Sequence, residues 1–184
     1  MNVNLLQLTP NAADFIGRCA GICYNSRQDS ASNIRRAAAC KDKGHLATLR
    51  FAHATFHVTD ISRSCSHQFV RSKHLDFLQQ SQRYVNQKDV AFVWPETVKQ
   101  SLDVTQLERA FSDFYDYLIQ VGIKKEDARF VLPEAASTEL IVVGNLQAWL
   151  DFIHLRNTEH AQWEIRAVAK EIERQLHESI PEIF

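Results

Sequence analysis

The 184-residue sequence lacks an excess of positive charge, a long apolar run and a paired-cysteine motif, and each absence excludes a class of protein. Its 21 lysines and arginines nearly balance 22 aspartates and glutamates, whereas a general nucleic-acid binder needs a basic excess. No apolar run approaches the roughly 18 residues of a membrane span, and residues 1–7 lack the basic and hydrophobic regions of a signal peptide. We therefore expect a soluble, cytoplasmic protein that binds neither membrane nor nucleic acid.

The cysteines and histidines give no metal signature. No two cysteines have the C-x-x-C spacing of a zinc or redox site, since they stand at Cys19, Cys23, Cys40 and Cys65. His53 and His57 fall in a segment expected to be a strand, where they share a face without being adjacent. We therefore expect buried or idle thiols and no metal site.

Length and hydrophobic periodicity predict an α+β fold. With 45% apolar residues the chain can bury one substantial core, so residues 1–184 are expected to form a single domain. Apolar spacing predicts helices over residues 11–24 with Asn11 as cap, 32–43 ended by Gly44, 105–121, 124–132, and a last helix that ends at Ser179. Alternation predicts strands at Thr48–Thr59 and Thr138–Val143. Helices packed on a small antiparallel sheet account for this pattern.

Two of the predicted helices carry expectations about their faces. The helix over residues 105–121 is expected to bury an apolar stripe made of Leu107, Phe111, Phe114, Tyr115 and Leu118. Another helix is expected to follow Asp60, with Asp60 or Ser62 as its cap. Gln68 and Arg71 stand three residues apart at its end, which would turn both side chains towards one ligand.

The stretch from Gln68 to Val85 suits an anionic, planar ligand. It carries Arg71, Lys73 and Arg83 among serine and glutamine side chains. Arginine presents a flat fork of donors that matches a phosphate or a pyrimidine edge, and serine and glutamine orient a ligand without adding charge. On composition alone, a solvated basic helix end is the alternative interpretation.

This stretch resembles the signature of the flavin-dependent thymidylate synthases, R-H-R followed by S-x-N/S-E/Q-x-S-x-R-Y. The matching residues are Arg71, Gln79, Ser81, Arg83 and Tyr84. The chain departs from the signature at four positions, Ser72, Lys73, Asp76 and Leu78, where the family has His, Arg, Ser and Asn or Ser. In the family, the R-H-R residues grip the flavin.

Two further motifs extend the resemblance over roughly residues 19–183. The string from Ala128 to Pro133 is similar to the family's A-R-x-V-L-P, whose Arg binds the nucleotide and is Arg129 here. Residues 152–166 match F-x-x-L-R-x-x-x-H-A-Q-x-E-I-R at every fixed position. Without the family, Arg156 and His160 would be expected on one helix face or at a joint between helices, in a capping or salt-bridging role.

The resemblance implies a role for each matching residue. Arg156 corresponds to the catalytic Arg, which polarises the uracil and favours loss of its N3 proton. Substrate contacts are implied for Gln68, Arg71, Gln79, Ser81, Arg83, Arg129 and Arg156. Flavin contacts are implied for His45, which follows a glycine as in the family, and for Arg71, Ser72, Lys73, Gln79, Asn145 and His160.

The resemblance also implies the reactants and the assembly. FAD is the expected cofactor, deoxyuridine monophosphate (dUMP) the substrate, and methylenetetrahydrofolate and NADPH the co-substrates, in a homotetramer with sites at subunit interfaces. Methylating C5 needs electron density in the ring, supplied by a thiolate added at C6 or by stabilising the charge that develops on the ring. The chain has no Pro-Cys pair like that of the classical thymidylate synthases, so we expect the second route.

Three functional classes follow from these residues. The first is an active flavin-dependent thymidylate synthase. The second is a related enzyme that modifies a pyrimidine nucleotide at C5 in another way, for example by hydroxymethylation, and the third is a catalytically silent homologue that only binds nucleotide or partners. Ser72 and Lys73 favour looser FAD binding or a different one-carbon product, because lysine offers a point charge in place of a bidentate fork.

Overall fold

The computed structural model describes residues 1–184 and contains four strands and eight α-helices. The strands are β1 (Asn2–Leu8), β2 (His53–Ser62), β3 (Leu75–Gln79) and β4 (Ser137–Asn145). The helices are α1 (Ala12–Ile22), α2 (Ser30–Asp42), α3 (Arg63–Phe69), α4 (Glu96–Ser101), α5 (Thr105–Gln120), α6 (Lys125–Ala128), α7 (Leu146–Arg156) and α8 (Trp163–Ser179). Two 3₁₀ turns span Leu46–Phe51 and Arg129–Val131.

The strands form one sheet in the order β1-β2-β4-β3. The hydrogen bonds beside β2 and β4 show the antiparallel register, because Leu146 N donates to Ala52 O at 2.9 Å and Arg63 N donates to Ala136 O at 3.0 Å. Helices with a small antiparallel sheet confirm the predicted α+β fold.

The chain divides into two compact units. Unit 1 comprises Met1–Asn2, Val58–Phe69 and Leu78–Leu140, and unit 2 comprises Val3–His57, Val70–Phe77 and Ile141–Phe184. The single domain expected from chain length stays a prediction.

Trp149 lies at the centre of the core of unit 2. Its ring is fully buried and meets Phe56 edge-on, with 4.9 Å between ring centroids. Its Nε1 donates to Ala54 O at 3.0 Å, which avoids the cost of a buried unpaired donor. Helix α8 adds a buried face at the predicted spacing, made of Ile165, Val168, Ala169, Ile172 and Leu176.

Helices α1 and α2 of unit 2 approach each other at Gly17. A Cβ added there would lie 1.8 Å from Asn33 O, so only glycine allows this packing. Arg36 joins the two helices by donating from Nη1 to Gly17 O at 2.7 Å and to Asn33 Oδ1 at 2.8 Å. Gly44 follows α2 with φ +75°, which confirms the predicted helix end.

In unit 1, helix α5 has the predicted position but not the predicted burial. Tyr115 is fully buried, and its hydroxyl accepts from Gln87 N at 3.2 Å. Leu107 and Phe114 are exposed, so the expectation that the whole apolar stripe lies in the core is wrong.

Other helix and strand boundaries also differ from expectation. Asn11 gives α1 no side-chain cap, because its backbone is left-handed at φ 49°. Residues 46–51 form a 3₁₀ turn where the strand was expected to begin, and β2 starts at His53. The helix expected over residues 124–132 is the short α6 followed by a 3₁₀ turn. Ser62 caps α3 by accepting from Cys65 N at 2.9 Å, as one of the two expected alternatives.

The structure was also searched for membrane-spanning helices and for clusters of metal ligands. None of the helices has the length and apolarity to cross a membrane. No group of three or more His, Cys, Asp or Glu side chains is placed to hold a metal ion.

Candidate functional site

Unit 1 holds the predicted contact residues Gln68, Gln79, Ser81, Arg83 and Arg129. Gln79 ends β3 and is half-buried. Its Nε2 donates to Ser66 Oγ at 2.9 Å and to Thr138 Oγ1 at 3.2 Å. These bonds fix the amide and leave its carbonyl oxygen as an acceptor.

Ser81 and Arg83 lie on a tight turn directly after β3. The Ser81 carbonyl accepts from the backbone nitrogens of Tyr84 and Val85 at 3.2 and 3.0 Å, and its Oγ accepts from Arg83 N at 3.3 Å. The turn leaves the Arg83 side chain exposed, with its guanidinium 5.7 Å from the centre of the Tyr84 ring. A hydroxyl and a guanidinium are thus presented on one short, ordered segment.

Glu126 joins Arg83 to Arg129. Arg83 donates to Glu126 Oε2 from Nε at 3.1 Å and from Nη2 at 3.0 Å, and Arg129 Nε donates to the Glu126 backbone carbonyl at 3.0 Å. Two guanidinium groups from different parts of the sequence therefore meet at one residue. An arginine can bind a phosphate group through two parallel hydrogen bonds, and Glu126 holds Arg83 by its carboxylate and Arg129 by its backbone carbonyl.

The sequence motifs leave out Arg63, which belongs to the same group. It is half-buried and is the first residue of α3. The partial positive charge at the N-terminal end of a helix destabilises a cation there. Burial lowers the pKa of Arg63 below its ordinary value, Glu134 acts to raise it, and Arg129 lowers it further. A half-buried guanidinium near a second one is stabilised by an anion. The sequence signal that could have identified Arg63 is its position in the first turn of the helix expected after Asp60, where a positive charge is unfavourable.

Gln68 lies in the last turn of α3 and is half-buried, with Nε2 donating to Ser64 O at 3.4 Å. The helix ends at Phe69, so Arg71 follows it in a turn. The expectation that Gln68 and Arg71 project from one helix face is therefore wrong.

Unit 2 holds the other candidates, and three of them share a cleft. Arg71, Ser72 and Lys73 line this cleft of about 300 Å³ together with His74 and Asp151. Helix α7 supplies its apolar wall through Ala148, Phe152 and Leu155. Cationic groups beside an apolar wall suit a ligand that carries both phosphates and a ring.

Ser72 gives this cleft an unsatisfied polar group. Its Oγ is buried and has no hydrogen-bond partner, which costs roughly 1–3 kcal/mol. The neighbouring His74 has a left-handed backbone at φ 62°, a conformation that non-glycine residues rarely adopt. Unpaired hydroxyls and strained backbone are both typical of ligand sites.

Asn145, Arg156, His160 and His45 do not line the cleft. Asn145 caps α7 by accepting from Ala148 N at 2.9 Å, which leaves its Nδ2 to donate elsewhere. Arg156 is the half-buried last residue of α7. The partial negative charge at the C-terminal end of a helix stabilises its guanidinium. His160 is exposed in the following loop, so the two lie at the joint between α7 and α8 and not on one helix face. His45 is exposed and precedes the first 3₁₀ turn.

Part of the third motif has a structural role. Gln162 caps α8, because its Oε1 accepts from Glu164 N at 2.9 Å and from Ile165 N at 3.2 Å. Asn157 Nδ2 donates to Glu173 Oε2 at 2.5 Å and ties the loop to α8. The loop that carries His160 is thus fixed at both ends.

Comparisons with known proteins agree with these motifs. The family model described as thymidylate synthase complementing protein matches residues 4–182. A Geobacter sulfurreducens protein named flavin-dependent thymidylate synthase is 39% identical over an alignment of 203 positions, which covers 100% of this chain and 85% of the relative. A protein of that name from Mycobacterium tuberculosis is 34% identical over 198 positions, covering 95% and 78%. Another from Mycolicibacterium vanbaalenii is 33% identical over 194 positions, covering 93% and 76%.

Proposed function

This chain belongs to the thymidylate synthase complementing protein family, and from that premise we propose that it is a flavin-dependent thymidylate synthase. Its reaction is the reductive methylation of dUMP at C5, which yields dTMP. The meeting of Arg83 and Arg129 at Glu126 carries the proposal, because the family resemblance assigns both arginines to the nucleotide.

Arg129 is the proposed anchor of the phosphate. The bond from its Nε to the Glu126 carbonyl fixes the guanidinium and leaves the terminal nitrogens as donors. A phosphate monoester carries nearly two negative charges at neutral pH, and charge-assisted hydrogen bonds are about twice as strong as neutral ones. Arg63 and Arg83 add positive charge, and Ser81 adds a hydroxyl.

The proposed chemistry uses no sulfur nucleophile. Cys65 is the cysteine that unit 1 contains, and it is fully buried. Arg156 instead stabilises the negative charge that develops on N3 and the ring oxygens, an effect worth about 2.7–4 kcal/mol for a well-placed donor. Gln79, held by Ser66 and Thr138, orients the base.

The cleft in unit 2 fits FAD in charge and polarity. Arg71 and Lys73 would hold phosphates, Ser72 would gain the hydrogen bond that it lacks, and Phe152 and Leu155 offer apolar surface to a ring. We propose further contacts from His45, Asn145, His160 and Gln79. When bound, FAD supplies hydride transfer, and the protein supplies position and charge.

The same cleft supports weaker FAD binding than the family signature gives. Ser72 replaces a histidine of the signature and offers a hydroxyl where the signature has a ring. Lys73 offers one ammonium where the signature has a planar guanidinium, which costs a bidentate contact. We propose that purified protein loses part of its flavin and recovers it on titration.

The remaining parts of the proposal come from the resemblance. NADPH and methylenetetrahydrofolate are the proposed reductant and one-carbon donor. The proposed assembly is a homotetramer with active sites at subunit interfaces, in the cytoplasm.

Tritium release from dUMP labelled at C5 tests the activity. With FAD, methylenetetrahydrofolate and NADPH, we expect the wild-type protein to release tritium and form dTMP. Arg156→Ala is expected to lower the rate about 10²- to 10³-fold and Arg156→Lys to lower it less, because lysine keeps the charge. Arg166→Ala is a matched control in the same motif. Failure of folded, FAD-loaded wild-type protein to release tritium would overturn the proposal.

Mass spectrometry of the product distinguishes the other functional classes. A methyl group at C5 supports the proposal, and a hydroxymethyl group identifies a related C5-modifying enzyme. Binding of dUMP without any product identifies a silent homologue. Complementation of a thymidine auxotroph, lost in Arg156→Ala, tests the same point in cells.

A further inference from the structure

Unit 1 contains a second cavity, of about 360 Å³, whose lining includes none of the residues assigned to the nucleotide or the flavin. It lies where β2 and β3 end and β4 begins, beside the loop of residues 85–91. Two backbone hydrogen bonds join these segments, from Gln80 N to Glu139 O at 3.0 Å and from Ser137 N to Ala91 O at 2.8 Å. The cavity is therefore built by the sheet and an ordered loop.

The lining of this cavity carries negative charge and no positive charge. Asp60 from β2, Asp89 from the loop and Glu139 from β4 line it, and we name it the acidic cavity after them. No lysine, arginine or histidine is in the lining. The Asp60 carboxylate accepts from two neutral donors, Asn2 Nδ2 at 2.7 Å and Thr59 Oγ1 at 3.1 Å, which orient it without balancing its charge. Carboxylates that share a cavity repel one another and attract a cation.

Gln87 supplies an observation that is independent of the charges. Its side chain lines the acidic cavity and is 3% exposed, and its Oε1 is buried without a hydrogen-bond partner. Its Nε2 donates to Val85 O at 3.3 Å, and its backbone nitrogen donates to the Tyr115 hydroxyl at 3.2 Å, so the residue is held in place. A buried carbonyl oxygen without a partner destabilises the protein, and a ligand that donates a hydrogen bond removes this cost.

The arrangement of the acceptors favours an organic cation over a metal ion. A divalent metal ion needs several oxygen ligands within about 2.6 Å of one point, and no three acidic side chains of this chain are placed in that way. The acidic cavity also has apolar lining from Val85, Val90 and Ala91. Such surface suits the methylene groups of an alkyl chain that ends in a charge, as in a lysine side chain.

We propose that the acidic cavity binds a linear aliphatic diammonium or polyammonium ion. Its ammonium groups bind the carboxylates of Asp60 and Asp89, one of them also donates to Gln87 Oε1, and its methylene groups contact Val85 and Val90. An ammonium group has three donors and no acceptor, which matches a lining with unused acceptors. It is fully charged at neutral pH, because the pKa of an alkylammonium such as that of lysine is about 10.4.

Titration calorimetry of the full chain with 1,4-diaminobutane, at low ionic strength and without dUMP, tests the acidic cavity. We expect saturable binding of one ion per chain, with an affinity that falls as salt is added. Tritium release is a separate measurement, so this binding and the proposed reaction can fail independently. Absence of saturable binding to folded wild-type protein would overturn the inference.

Two acidic residues and a control test the location of the site. Asp60→Asn removes the charge and suits the left-handed backbone at φ 56°, which asparagine also adopts. Asp60→Asn and Asp89→Asn should each weaken binding at least about 10-fold, because each removes a charge-assisted hydrogen bond. Asp113→Asn is the matched control, since Asp113 is an exposed acid of unit 1 outside the acidic cavity. An equal loss in Asp113→Asn would show that the ion binds by general charge and would overturn the inference.

Gln87→Met tests the buried amide. Methionine has a similar volume and is a weak acceptor, so we expect several-fold weaker binding while the thermal midpoint without ligand stays close to wild type. Equal affinity for Gln87→Met and wild type would contradict the contact with Oε1.

Other cations test the class of ligand. 1-Aminobutane and the amide of N-acetyl-lysine carry one ammonium group each and should bind at least about 10-fold more weakly than 1,4-diaminobutane. Magnesium chloride should not displace the diammonium ion at equal concentration. Tighter binding of magnesium would identify a metal site, and tighter binding of the lysine amide would identify a lysine of another protein as the ligand. Either result would overturn the inference.

Discussion

Arg83 donates to a single oxygen of Glu126 through two nitrogens, Nε at 3.1 Å and Nη2 at 3.0 Å. Both side chains are partly exposed, at 54% and 38%, so the pair contributes little to stability. The pair should instead affect ligand binding, because the Glu126 carboxylate competes with a phosphate for the Arg83 guanidinium.

Replacing Glu126 with Gln is expected to tighten dUMP binding roughly 2- to 5-fold, because a negative charge beside the anion site is removed. The free energy of unfolding should change by less than about 1 kcal/mol. Titration calorimetry at low ionic strength measures the affinity, and the gain should shrink at high salt.

Glu178→Gln is the control for this substitution, because it removes a similar exposed ion pair with Arg174 in unit 2. It should leave dUMP binding unchanged. Weaker binding by Glu126→Gln would show instead that the carboxylate is needed to position Arg83.

Restoring the family residues in the cleft of unit 2 is expected to strengthen FAD binding. The double variant Ser72→His with Lys73→Arg regains a ring and a bidentate fork, and we expect its affinity to rise about 10-fold. The visible spectrum during FAD titration measures this. A wild-type protein that already forms a tight, stoichiometric yellow complex would contradict weaker FAD binding.

The hydroxyl of Ser72 can be tested by itself with Ser72→Ala. Without ligand, the variant should be as stable as wild type or more stable, because a buried unpaired hydroxyl is removed. With FAD, it should bind several-fold more weakly. Equal FAD affinity for the two proteins would show that the hydroxyl makes no contact with the flavin.

Gly17→Ala is expected to destabilise unit 2 by about 3 kcal/mol, because its Cβ would lie 1.8 Å from the backbone oxygen of Asn33. Gly21→Ala is the matched control on the same helix. There the Cβ meets the ends of the side chains of Arg36 and Gln28 and no backbone atom, so we expect a smaller loss, limited to the bonds that Arg36 Nη1 makes to Gly17 O and Asn33 Oδ1. Urea unfolding measures the free energy of unfolding of both variants. An equal decrease in the two would contradict a backbone clash at Gly17.

Asp29 is expected to make stability depend on pH. Hydrogen bonds from the backbone and hydroxyl of Ser32, with Arg27 nearby, hold the pKa of Asp29 below its ordinary value. A carboxylate with a lowered pKa stabilises the folded state above its unfolded pKa, and this contribution is lost as pH falls through the folded pKa.

Asp29→Asn keeps a capping oxygen and cannot titrate, so its urea midpoint should change less than that of wild type between pH 7 and about pH 3. Asp42→Asn is the control, because the Asp42 side chain is 72% exposed and lies 3.8 Å from Lys41. If the urea midpoints of wild type and Asp29→Asn change equally with pH, Asp29 does not cause the pH dependence of stability.

Local patterns predicted many elements well, because their causes lie within a few residues. The periodicity of α8 gives its buried face, and Gly44 ends α2 by adopting a positive φ. Ser62, one of the two predicted caps, caps α3 through a bond to a residue three positions later. The α1 boundary shows the limit, because Asn11 has a good capping side chain and a backbone that does not use it.

The sequence alone determined the family, the order of the three motifs and most helix and strand positions, because these depend on residue identity and short spacing. Only the tertiary structure decided that Arg83 and Arg129 meet at Glu126, and that Arg63 belongs with them. It also decided which apolar face of α5 is covered, since periodicity gives the phase of a helix but not the neighbours on each side. Contacts between distant segments depend on how the whole chain packs, and no local pattern encodes them.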